Sequence, residues 1–261
     1  MNISLIGKKA LVGGSSQGIG KAIGQQLAAC GASVTLMARS GDKLKDIISQ
    51  LPTEHGQHHQ YLEVDFTDFN SYREIIENYF RNNSVDILVN NTQGPASGGA
   101  MEKKVEDYQT AFDLLFKTVV YTSELALKGM IDKKYGRIIN IASVSVKEPL
   151  SYLTLSNSIR AAVTTWAKTL AADVGQYGIT VNSTLTGYFD TERLKNLNSA
   201  KAKSFGIPLE EVNQQMLKNV PVGRFGDPKE YGYLVSFLAS EQASFITGTN
   251  IPIDGGMLKS L

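Results

Sequence analysis

The chain is short of cysteine, histidine and net charge, and each shortage removes a class of explanation. With one cysteine, Cys30, in 261 residues, no internal disulfide can form, which excludes a disulfide-stapled scaffold. Cys30 ends a segment of helical period and reads as a small buried side chain. The three histidines, His55, His58 and His59, share no helical face, and no cysteine or carboxylate completes a ligand set, so no metal is expected. A formal net charge of +1 gives no electrostatic case for nucleic acid or an anionic membrane surface. Long apolar runs are missing as well. Nothing approaches a transmembrane span, and the apolar stretch at 10–12 is too short for a signal-peptide core. The expectation is a soluble, cytoplasmic protein without nucleic-acid or membrane partners.

What is present suits a fully packed globular unit. Hydrophobic residues make up 42% of the chain, enough for a full core. Apolar runs of strand length fall at 9–13, 33–38, 60–64, 86–90, 136–141, 180–183 and 250–253. Segments of helical period lie between them at 18–29, 42–50, 70–81, 105–133, 155–174 and 228–238. Repeated βα units predict a parallel sheet with helices on both faces, and right-handed crossovers make it a doubly wound Rossmann-type α/β fold. No linker or internal repeat interrupts the pattern, so 1–261 reads as one domain. The segment from Leu155 carries Ile159, Val163, Trp166, Leu170 and Val174 on one side, and five alanines widen the stripe. A helix apolar over that much surface packs either wholly within its own chain or partly against another copy.

Two local motifs point to a nucleotide. The first strand runs into Gly13-Gly14-Ser15-Ser16-Gln17-Gly18-Ile19-Gly20, and a helix follows. Glycines let the backbone turn sharply and approach a ligand closely, and the helix N-terminus offers free N–H groups to a pyrophosphate. The second strand ends at Met37-Ala38-Arg39-Ser40. An acidic residue near this point suits the ribose hydroxyl of NAD, whereas an arginine suits the 2′-phosphate of NADP. Arg39 therefore favours NADP (NADPH) over NAD.

With these residues in place the chain resembles the short-chain dehydrogenase/reductase family. The spacing from Gly14 to Gly20 matches that family's glycine motif. Asp65, in Val64-Asp65-Phe66, matches its adenine contact, and Asn90-Asn91 matches the asparagines closing its fourth strand. Asn182, Gly187 and Thr191 match its stretch after the sixth strand. The tail, from Gly223-Arg224-Phe225-Gly226 through Ile246-Thr247-Gly248 to Asp254-Gly255-Gly256, is similar to bacterial 3-oxoacyl-carrier-protein reductases. The resemblance implies a seven-stranded sheet, a homo-oligomer (tetramer or dimer) and a mobile substrate loop, here about 188–220, with a possible helix at 209–217. It implies a cofactor site made of Gly14, Ser15, Ser16, Gln17, Gly18, Ile19, Gly20, Arg39, Asp65, Phe66, Asn91, Arg160, Gly187 and Thr191.

The family's catalytic set is an asparagine, a serine, a tyrosine and a lysine. Ser143 matches the serine, but Ser156 stands at the tyrosine position, Arg160 at the lysine and Leu115 at the asparagine. A serine hydroxyl has no titration within reach of working pH, so Ser156 can orient an oxygen but is a poor proton donor. Arg160 keeps the positive charge and can hold ribose hydroxyls, yet stays protonated. Leu115 neither donates nor accepts. Tyr188 and Tyr152 are aromatic alternatives as proton source, each equally able to be a packing residue; Lys117 and Lys147 read as surface lysines. Tyr188, Phe189, Leu194 and Phe205 imply a partly apolar pocket. Two readings stay open: an NADP-dependent oxidoreductase acting on a small carbonyl or alcohol through Ser143, Ser156, Arg160 and Tyr188, or a non-catalytic NADP(H)-binding pseudoenzyme or partner subunit.

Overall fold

Three adjacent strands show how the sequence lays down two cores at once. In β1 (Lys9–Val12), Ala10 and Val12 join one apolar layer and Leu11 the other; in β4 (Ile87–Asn90), Ile87 and Val89 separate from Leu88 in the same way. In β5 (Gly136–Ile141), Ile139 and Ile141 part from Ile138. Side chains alternate between the faces of a strand, so an unbroken apolar run marks a sheet covered on both sides.

The computed structural model describes residues 2–260. The other strands are β2 (Ser33–Ala38), β3 (Gln60–Glu63), β6 (Ile179–Thr186) and β7 (Asn250–Ile253). All seven form one sheet in the order β3-β2-β1-β4-β5-β6-β7, and every pairing is parallel. The expected seven-stranded, doubly wound architecture is the one observed. Helices α1 (Gly18–Ala29), α2 (Gly41–Ser49) and α3 (Phe69–Asn82) serve the first half of the sheet. The second half adds α4 (Val105–Phe112), α5 (Thr118–Lys133) and α6 (Thr154–Val174), then α7 (Glu192–Phe205), α8 (Leu209–Leu217) and α9 (Pro228–Ala239). One face is closed by Ile23 and Leu27 of α1 with Tyr231 and Val235 of α9; the other by Tyr72 and Ile76 of α3, Ala126 of α5 and Ala167 of α6. Among the described residues no helix is long and apolar enough to cross a membrane.

Two differences from the sequence expectation bear on the site. The helix expected over 105–133 is interrupted by a π-helical turn, Asp113–Lys117, with Thr118 Oγ1 donating to the Leu114 carbonyl at 2.7 Å. The segment 188–220, expected as a loop with one helix, holds two. Thr191 caps the additional helix, α7, by accepting from the Leu194 N–H at 3.3 Å, and Gly206 ends it at φ +64°. A threonine cap, an acidic residue in the first turn and a closing glycine are helix signals, and they outweigh the weak apolar periodicity of this segment.

The strand order reverses between β1 and β4. The loops leaving those two carboxyl ends diverge, and a crevice opens between them.

Candidate active site

The glycine turn at the end of β1 is held by the chain itself. Asn91, just past β4, donates from Nδ2 to the Gly13 carbonyl at 3.0 Å, crossing the point where the strand order reverses. A β-carbon on Gly13 would lie 2.3 Å from the Asn91 carbonyl oxygen, and one on Gly20 would lie 2.2 Å from the Gly14 oxygen. Gly14, at φ +55°, also takes a backbone conformation that side chains disfavour. These glycines are therefore required by close protein packing before any ligand is considered. Behind the turn, the N-terminus of α1 has no side-chain cap and no acidic residue in its first turn. Gln17 at the cap position is exposed and leaves the helix end open. Uncompensated N–H groups and the positive end of a helix dipole make an anion site. The donor set at this end fits the phosphates of a dinucleotide.

Ser15 departs from its expected place at the cofactor. It is fully buried, its N–H and hydroxyl both bond the Met37 carbonyl, and its Oγ accepts from the Met37 N–H at 2.9 Å. The serine ties the loop to β2 and has no group left for a phosphate. Phe66 is likewise buried, its ring 5.2 Å from that of Tyr72. Its side chain belongs to the core, and only its backbone remains for the adenine end. Ser16 is half-buried beside the loop. Arg39 is exposed at the end of β2, close enough for its charge to act on Asp65. Asp65 accepts from the Thr67 hydroxyl at 2.7 Å and its N–H at 2.9 Å; these bonds first, and Arg39 after them, hold its carboxyl below the usual range.

A cleft of about 930 Å³ runs from Ile19 in the first turn of α1 across the ends of β4, β5 and β6. Ile19, Asn91, Gly187 and Thr191 line it, as do Ser143, Ser156, Arg160 and Tyr188. A β-carbon on Gly187 would lie 2.6 Å from the Asp254 Cα, and one on Gly18 would lie 3.3 Å from the Thr191 methyl, so both glycines serve close contacts at the rim. Ser143 Oγ accepts from the Ser145 N–H at 3.1 Å, which leaves its proton free to be donated. Ser156 sits in the first turn of α6, nearly buried. One turn on, Arg160 donates to the Ile141 carbonyl. Burial, and then the charge of Arg193, bring its pKa down to about 10, so it remains a cation at neutral pH. Beside it, Tyr231 is buried against the Thr184 and Thr186 hydroxyls at 2.6 and 2.8 Å.

Tyr188 is half-buried at the far wall. Burial first, and the neighbouring Tyr152 after it, push its phenol up to about 12. Tyr152 precedes α6, is exposed, and lines the same cleft, as do Phe189, Leu194 and Phe205. Leu115 lies in the π-turn and packs into the core beneath the sheet, away from the cleft lining. Lys117 pairs with Asp113 at 3.5 Å outside it, and Lys147 is absent from its walls. His59 is occupied locally, Nδ1 accepting from the Val34 N–H at 3.2 Å and Nε2 lying 2.8 Å from the Pro52 carbonyl. Among the described residues no three His, Cys, Asp or Glu side chains gather as metal ligands. The residue that sequence reasoning missed is Arg193. It faces the cleft from α7, and the signal for it was its position two residues after the capping Thr191.

A family model described as enoyl-(acyl carrier protein) reductase matches residues 14–258. The 3-oxoacyl-(acyl-carrier-protein) reductase FabG of Haemophilus influenzae is 34% identical over 255 residues, covering 97% of this chain and 99% of the relative. The structure of L-sorbose reductase from Gluconobacter frateurii, complexed with NADPH and L-sorbose, superposes with a TM-score of 0.92 at 31% identity, over the whole of both chains. YwfH, an NADPH-dependent reductase involved in bacilysin biosynthesis, gives 0.90 at 29% identity over 97% of this chain and 99% of that one.

Proposed function

The chain belongs to the short-chain dehydrogenase/reductase family, and on that premise we propose that it is an NADPH-dependent oxidoreductase that reduces a carbonyl, or oxidises the matching alcohol. One observation carries this reading. The first turn of α1, whose N-terminus has no side-chain cap, contributes Ile19 to the same cleft that Ser143, Ser156 and Arg160 line. The NADPH named with two of its structural neighbours supports the cofactor, and the exposed Arg39, whose charge reaches Asp65, suits a 2′-phosphate through charge-assisted bonds.

The nicotinamide, when bound, supplies or accepts the hydride. The protein does the rest. Ser143 donates a hydrogen bond to the carbonyl oxygen and fixes its position, keeping its own proton, with Ser156 as a second hydroxyl on the same wall. Arg160 holds ribose hydroxyls and favours the negative charge that develops on the oxygen during reduction. Tyr188 stays neutral well above physiological pH and carries the proton that the oxygen takes up. Gly14, Gly18, Ile19 and Gly20 shape the phosphate turn, Asn91 braces it, and Thr191 anchors the 188–220 segment over the cleft. The protein works as a homo-oligomer, supported by Phe112, Phe116 and Trp166, whose rings meet at a surface left incompletely covered.

Calorimetric titration with NADPH and NADH tests the cofactor. Wild-type protein should prefer NADPH. Arg39→Ala should weaken NADPH about tenfold or more, the worth of a charged hydrogen bond, and leave NADH unchanged. Equal weakening of both would remove Arg39 from the phosphate.

A further inference from the structure

The cleft carries a charge that the molecule as a whole does not. Of its lining residues, Arg160, Arg193 and Lys201 are cationic and only Glu102 is acidic, in a chain whose formal net charge is +1. Glu102 is engaged locally, accepting from the Gly99 N–H at 3.0 Å. Neither Arg160 nor Arg193 has a carboxylate within 4 Å among the described residues.

Both arginines are nevertheless held in place. Arg160 is fixed on α6 by its bond to the Ile141 carbonyl. Arg193 stands in the first turn of α7, whose start Thr191 caps. The residue is exposed as a whole, but its guanidinium lies against Gly94: a β-carbon there would be 2.2 Å from Nη2, and Nη1 is 3.4 Å from the Gly94 carbonyl. That single long bond leaves most of its five donors unused. Partial desolvation lowers the pKa of Arg193, and the charge of Arg193 reaches Arg160 across the cleft they both line. Two cations brought together without an acid are stabilised by an anion between them, and guanidinium groups suit a planar carboxylate or a phosphate.

Resting on the reductase reading above, we propose that Arg193, backed by Arg160, binds the carboxylate of the substrate, so that the carbonyl compound reduced here is an oxo acid. The dinucleotide could supply an anion of similar chemistry through its pyrophosphate. That group already has a partner in the open N-terminus of α1. Arg193 lies over Gly94, just past β4, in a cleft that Ser97, Leu194 and Leu197 also line.

Oxamate, a non-reducible 2-oxo acid analogue, and its uncharged counterpart oxamide separate these sources. Each is titrated calorimetrically into the enzyme–NADPH complex. Oxamate should bind about tenfold or more tighter than oxamide, as expected for a charged hydrogen bond. Arg193→Ala should remove that preference while the NADPH affinity stays within about twofold, and Arg193→Lys should keep part of it. Equal binding of oxamate and oxamide by the wild type would overturn the inference. So would an Arg193→Ala variant that loses NADPH affinity but keeps the oxamate preference, because the anion would then be the pyrophosphate. Wild-type protein that binds oxamate without binding NADPH would leave this anion site standing and overturn the cofactor reading instead.

Discussion

At Tyr188 the same hydroxyl has two competing descriptions, a packing aromatic and a proton donor. Its ring packs against the small core of Val212 and Met216, while the residue also lines the cleft. The raised phenol decides how the second role would look in solution. A group whose pKa rises from 10.0 to about 12 keeps its proton through the range where an ordinary tyrosine begins to lose it. As an acid it should therefore sustain carbonyl reduction across pH 9–10, with the alkaline limb displaced toward about 12. Tyr188→Phe should lower kcat about 10²-fold, the lower end for loss of a positioned acid, with NADPH affinity unchanged. A kcat–pH profile of both proteins checks this, and an unaltered kcat would return Tyr188 to packing. Ser15 shows the opposite outcome at this scale. Its place in the glycine motif suggested a cofactor contact, but its N–H and hydroxyl are both spent on Met37, a bond between distant segments that no local spacing discloses.

Among the elements, α9 shows best how a local signal becomes stability. Asp227 caps it by accepting from the Lys229 N–H at 2.9 Å, and Glu230 reaches back to the Asp227 N–H at 2.7 Å. Arg224 grips both Glu230 oxygens at 2.7 and 2.8 Å. The Arg224 bonds first, and the Asp227 N–H second, lower the Glu230 carboxyl from 4.5 to about 2. The folded pKa lies below the ordinary one, so this stabilisation is fully present above pH 4.5 and is lost as pH falls toward 2. Glu230→Gln should melt at a lower temperature than wild type at neutral pH, and the gap should close steadily below pH 4.5. A gap independent of pH would mean that the charge of Glu230 contributes nothing to the cap. The cap, though not the Arg224 clasp, is legible in the sequence as Asp227-Pro228-Lys229-Glu230, an acidic cap, a proline at the first helical position and a glutamate at the third. Helix α7 had a comparable signature in Thr191 and Gly206 but a weak apolar stripe, so it read as loop. The π-turn at Asp113–Lys117 had no sequence signature, because the residues around it keep ordinary helical character.

Across the whole molecule, the incompletely covered aromatic face is the feature most relevant to assembly. Phe112 stacks on Phe116 with ring centroids 5.1 Å apart, and Phe116 meets Trp166 edge-on at 6.3 Å. Trp166 is the only tryptophan in the chain. If this face joins copies of the protein, Trp166→Glu should reduce the mass measured by light scattering. In the wild type, dilution should shift the tryptophan emission to longer wavelength. A variant of unchanged mass would place the interface elsewhere.

The sequence by itself determined the parallel sheet, its two-sided core and the glycine turn that leads into α1. Those features follow from alternation along single strands and from turn and cap chemistry within a few residues, and neither needs a distant partner to be legible. Only the tertiary structure decided that Asn91 braces Gly13, that Ser15 turns inward, and that Arg193 joins Arg160 across a shared cleft. Each of these depends on where whole elements come to rest. Arg160 and Arg193 lie on α6 and α7 with β6 between them, so their approach is set by the packing of those elements against the sheet and has no expression in local spacing.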